Sequence, residues 1–91
     1  MPINSFLEYL SFEKKYSQHT ITAYRNDLNS FQLFYLEEFN DGDIVSANYQ
    51  QIRPWIVCLV NLNISNRTIN RKISSLKSFY KFLQKKKQID V

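Results

Sequence analysis

Between Ser65 and Lys87 the chain reads SNRTINRKISSLKSFYKFLQKKK, a stretch with no glycine, no proline and no acid. Its apolar residues Ile69, Ile73, Leu76, Tyr80 and Leu83 recur at alternating steps of four and three, the spacing of one face of an α-helix. Arg67, Arg71, Ser74, Ser78, Lys81 and Lys85 recur in the same rhythm. At about 100° per residue the two stripes point to opposite sides. A long helix is therefore expected here, packed through one stripe and showing bases and hydroxyls on the other.

The rest of the chain fits helices as well. One Gly and two Pro in 91 residues leave few breakers, and 44% apolar residues suffice for one core. The expectation is a single all-α domain over residues 1–91, a compact bundle of four helices. Cys58 is the only cysteine, which excludes an internal disulfide and fits a reducing, cytoplasmic location. No apolar run is long enough to span a membrane. MPINSFLEYLSFEKK has early acids and lacks a small-residue cleavage site, so it does not read as a signal peptide. The net charge of +4 hides an asymmetry: residues 1–64 carry four bases against seven acids, and residues 65–91 carry eight bases against Asp90 alone. Positive charge gathered on one element suggests a polyanionic partner.

In chain order, a first helix is expected from Ile3 to about Lys15, with Phe6, Leu7, Leu10 and Phe12 as its apolar contacts and Pro2 tolerated in its first turn. Core packing accounts for this face; docking on another subunit is the alternative. Ser17 is a candidate N-cap, its hydroxyl accepting from the Thr20 amide. The second helix runs from Gln18 to about Glu38, with Ile21, Tyr24, Leu28, Phe31 and Tyr35 as its buried stripe. Leu33 and Phe34 fall off that stripe and imply cover on a second side. Asn40-Asp41-Gly42-Asp43 is a loop. Its flanks lack strand alternation, which argues against a hairpin, and its acids are too few for a calcium loop. A third helix covers Tyr49 to Asn61, with Ile52, Trp55, Ile56, Leu59 and Val60 inward and Cys58 read as core. Pro54 leaves its start open: it is harmless if the helix begins near Gln51 and forces a kink if it begins at Asn48. Ser65 caps the fourth helix. The closing QIDV reads as an end cut at a domain boundary.

No catalytic constellation is visible. One His and one Cys cannot build a zinc site, and a single glycine excludes a phosphate-binding glycine loop. Cys58 has no nearby activating base. No cofactor, metal or small-molecule substrate is expected, and the chain reads as a binding domain. A helix in the DNA major groove needs long donors for phosphates and shorter polar groups for base edges. Arg67, Asn70, Arg71, Ser74 and Lys77 supply that mixture on the fourth helix, and His19, Thr20, Thr22 and Asn26 supply a second group on helix two. Two other readings remain: a helical protein-interaction module whose basic helix is only a solvated face, and a small stand-alone DNA-binding regulator.

SQHTITAYRNDLNSF resembles the opening of the second helix of the N-terminal core-binding (SAM-like) domain of tyrosine recombinases, the phage integrase family. The pattern is met by Ser17, Thr20, Tyr24, Asp27, Leu28 and Phe31. ISNRTINRKISSLKSFYKFL is similar to the family's fourth helix at Ser65, Thr68, Arg71, Ser74, Leu76, Phe79, Tyr80 and Leu83, and IRPWIVCLV to the helix between. The resemblance covers nearly the whole chain and leans toward Xer-type recombinases or integrases of bacteria and their mobile elements. It implies a parent enzyme that cuts and rejoins DNA through a 3′-phosphotyrosine link, with all catalytic residues in a following C-terminal domain. No tyrosine here, Tyr80 included, inherits that role. It implies that this domain clamps double-stranded DNA at a recombination site, with helices two and four in the major groove. It also implies partner subunits in a tetrameric synapse, contacted by helix one. By motif position it assigns His19, Thr20, Asn26, Arg67, Thr68, Arg71 and Ser74 to the DNA; Lys77 joins them by charge and placement. Pro54 departs from what the family's third helix would favour.

Overall fold

The computed structural model describes residues 2–89, with side chains described as far as residue 85. Its elements are α1 (Pro2–Phe12), α2 (Gln18–Phe39), a short 3₁₀ turn (Ile44–Ser46), α3 (Tyr49–Asn61) and α4 (Asn66–Ile89). No strand occurs among the described residues. The expectations placed on the side chains of Lys86 and Lys87 and on the QIDV ending lie outside them.

Each boundary has a local cause. Ser17 accepts from the Thr20 amide at 3.3 Å, and Ser65 accepts from the Thr68 amide at 3.2 Å. In both cases the threonine hydroxyl then packs on the serine hydroxyl, at 3.1 and 3.0 Å. The two long helices thus start with the same device, an oxygen that satisfies an amide with no intrahelical partner. At α3, Asn48 and Gln51 form a reciprocal capping box: the Asn48 side chain accepts from the Gln51 amide, and Gln51 Oε1 accepts from the Asn48 amide. Stops are left-handed residues, Lys15, Asn40 and Asn63, with φ of 54°, 56° and 61°. Asn40 ends α2, and Gly42, the only glycine, is not in that conformation.

α3 therefore begins at Tyr49, and Pro54 stands in its second turn. The carbonyl of Gln50, four residues earlier, loses its helical donor there. Both residues are exposed, which keeps the lost bond inexpensive because solvent can replace it. α1 stops at Phe12, short of Lys15, and Phe12 is 75% exposed and outside the core. Leu33 and Val60 are exposed as well, against expectation, while Phe34 packs on the core edge. Cys58 is half-buried.

α2 and α4 form the central pair, and α1 and α3 pack on both. On one side Phe6 of α1 sets its ring 5.5 Å from Phe79 of α4. On the other, Trp55 of α3 sits 5.1 Å from Phe31 of α2. These contacts echo one another because the chain repeats. Ser17, Thr20, Ile21, Leu28, Ser30, Phe31 and Phe34 recur forty-eight residues later as Ser65, Thr68, Ile69, Leu76, Ser78, Phe79 and Phe82. The domain is two helical hairpins, α1–α2 and α3–α4, each lending its flanking helix to the other's long one. The repeat also explains a deviation. The core side of α4 is centred between Leu76 and Phe79, so Phe79 is fully buried while Ile73, Tyr80 and Leu83 are only partly covered.

Candidate nucleic-acid interface

Where α2 meets α4, Asp27 is fully buried. A carboxylate is costly there without partners, and α4 supplies three. Arg71 Nη2 and Nε donate to its two oxygens at 2.8 and 3.3 Å. Lys72 Nζ lies 3.3 Å from Oδ1, and the Ser75 hydroxyl donates to Oδ2 at 2.7 Å. The Ser75 oxygen also lies 3.2 Å from the Arg71 carbonyl. Among the described residues no buried side-chain polar atom lacks a partner. Lys72 is mostly covered, whereas the Arg71 side chain keeps 53% of its surface exposed.

This seam orients the outer faces. From Asp27 on α2 and from Ser75 on α4, both helices turn toward the core in one rotational sense and toward solvent in the other. On each helix the solvent side is the one turned away from Phe31 or Phe79. Within about 100° of the seam that side carries Ala23, Ser30, His19 and Asn26 on α2. On α4 it carries Arg71, Ser78, Arg67 and Ser74. Thr22, Asn70 and Lys77 lie farther round, on the flanks. His19, Thr22, Asn26, Arg67, Asn70, Ser74 and Lys77 are all exposed. Thr20 and Thr68 are engaged in the two serine caps, and Thr68 is half-buried.

Eight of the ten candidate residues come in equivalent pairs across the repeat: His19 with Arg67, Thr20 with Thr68, Thr22 with Asn70, and Asn26 with Ser74; Arg71 and Lys77 stand where α2 has Ala23 and Asn29. Residue-by-residue reading missed Asp27, Lys72 and Ser75 as a unit. The repeat was the signal, since Asp27 and Ser75 are themselves equivalent and face each other. Tyr80, by contrast, is turned inward, donating its hydroxyl to the Ile44 carbonyl and tying α4 to the 3₁₀ turn. Burial first, then Tyr35 and Asp43, holds its phenol well above the usual value. Such a phenol is a poor nucleophile near neutral pH.

Four helices packed as two hairpins, with a basic helix at their seam, define an all-α domain of the integrase N-terminal type. The chain belongs to the family described as phage integrase, N-terminal SAM-like domain, whose pattern matches residues 3–87. It is similar to a tyrosine recombinase XerC from Oceanobacillus iheyensis, 38% identical over 88 residues, covering 97% of this chain and 28% of that protein. The XerC of Bacillus subtilis strain 168 is 40% identical over 88 residues, covering 97% of this chain and 29% of that protein. That of Listeria innocua is 44% identical over 78 residues, covering 86% and 26%. The chain thus spans less than a third of the length of the curated relatives it matches. No solved structure matches it significantly. No described helix is long and apolar enough to cross a membrane.

Proposed function

We propose that this domain binds double-stranded DNA as the N-terminal clamp of a tyrosine recombinase or integrase acting in the cytoplasm. The observation that carries the reading is the basic outer side of α4 at its seam with α2. Arg67, Ser74 and the outer edge of Arg71 are exposed on α4, His19 and Asn26 are exposed on α2, and α4 has no acid among its described residues. Long donors beside short polar side chains suit a major groove, where phosphates position the protein and base edges are read. The whole protein would cleave and rejoin DNA through a tyrosine outside these 91 residues, within a synaptic tetramer. A reading frame continuing past Val91 into a set of arginines, histidine and tyrosine is the genetic check.

The direct test is fluorescence anisotropy with labelled duplex DNA at about 50 and 200 mM salt. Binding that weakens steeply with salt is expected. A folded chain with no binding at the lower salt overturns the reading. A second reading, a protein-interaction module, draws on Tyr49, Val57 and Val60, which leave α3 70%, 51% and 55% exposed at those positions. Retention of a protein partner without DNA binding would favour it.

A further inference from the structure

We propose that Asp27 is a positioning residue for DNA recognition: from inside the core it holds the Arg71 guanidinium so that its free edge faces the duplex. The proposal rests on the DNA-binding reading above and adds a group that never touches DNA.

The geometry is side-on. Nε and one hydrogen of Nη2 are engaged by the carboxylate. Nη1 and the second Nη2 hydrogen remain, and they form the adjacent, end-on edge of the same plane. That side chain is half exposed at the seam of α2 and α4. A free arginine samples many rotamers, and each contact it makes must offset that lost freedom. Here the stem is already fixed by a carboxylate that cannot move, because Ser75 and Lys72 hold it in turn. What remains is a rigid pair of donors suited to two neighbouring acceptors, the O6 and N7 of guanine or two phosphate oxygens.

Electrostatics alone makes the opposite prediction. Asp27 places a negative charge beside a surface that meets a polyanion, so neutralising it should tighten DNA binding if charge is all that counts. If Asp27 positions Arg71, neutralising it loosens binding.

The experiment is a double-mutant cycle on the 91-residue chain with D27N, R71A and D27N/R71A. Anisotropy is read on a labelled pool of mixed-sequence duplex and corrected for the folded fraction by circular dichroism. D27N is expected to weaken binding about tenfold in the parent and less than about twofold in R71A. R71K keeps the charge and leaves Asp27 partnered by Lys72 and Ser75. It guards against a D27N chain that fails to fold, and about tenfold weaker binding is expected of it too. Tighter binding by D27N, an equal effect in both backgrounds, or R71K binding like the parent each overturns the proposal. A parent chain that does not bind overturns the DNA reading with it. The guanine and phosphate sources separate by comparing G·C-rich with A·T-only duplex: a loss confined to the former assigns guanine, and an equal loss assigns phosphate.

Discussion

Ser75 donates its hydroxyl to Asp27 at 2.7 Å, and the two residues occupy equivalent positions of the two helical hairpins. The hairpins therefore meet through one repeated position that has become polar on both sides. Such a contact specifies register better than another pair of leucines, because any slip strands a buried charge.

Removing that charge partner should be costly. Asp27→Ala leaves Lys72 covered and unpaired and Ser75 with the Arg71 carbonyl alone, and a loss of about 3 kcal/mol is expected from urea denaturation. Arg71→Ala should cost less, about 1 kcal/mol, because the half-exposed guanidinium is screened by water. Equal losses in the two variants would contradict this ordering.

The aromatic core gives a second contrast. Phe79 is fully buried against Phe6, so Phe79→Ala should destabilise by about 3–5 kcal/mol. Phe12 is 75% exposed, and Phe12→Ala should stay within about 0.5 kcal/mol. Thermal unfolding of the two variants side by side measures both. A large loss at Phe12 would mean that its face is buried in solution.

Tyr80 couples stability to alkaline pH. Burial, with Tyr35 and Asp43, raises its phenol, so the folded state keeps a proton that the unfolded chain releases near pH 10. Its contribution is complete below about pH 10 and declines as pH rises beyond. Tyr80→Phe should lose about 1 kcal/mol at neutral pH, from the bond to the Ile44 carbonyl, and should fall less steeply above pH 10. Urea midpoints across that range decide it; parallel curves for parent and variant would refute the coupling.

On DNA, Arg67→Ala and Lys77→Ala should each lower the log–log salt slope by about 0.9 if they contact phosphate. Lys15, exposed in the α1–α2 connection, should leave the slope unchanged when replaced by Ala. Titrations at several salt concentrations separate the cases, and an equal effect of Lys15→Ala would point to diffuse charge.

Much of the fold is local and was open to reading along the chain. Ser17, Ser65 and the apolar spacing mark where α2 and α4 begin and which way they face, because capping and amphipathicity act within a turn or two. The start of α3 was not decided by Pro54. The Asn48–Gln51 capping box outweighs an exposed proline whose lost bond solvent can replace. Phe12, Leu33 and Val60 look like core in the sequence and stand in solvent, since a helix's periodicity gives its apolar side but not how much of it a neighbour covers.

The sequence by itself determined four helices, a family and a basic fourth helix, all from signals a few residues apart. Only the tertiary structure decided what Asp27 and Arg71 are to each other. They lie forty-four residues apart, and one acid among three on α2 and one base among eight on α4 carry no mark of pairing. Their meeting depends on how the two hairpins cross, and burial of the acid is what fixes the contact: in water the two would be solvated separately, whereas the buried carboxylate of Asp27 must be paired, and Arg71, Lys72 and Ser75 are the partners α4 brings to it.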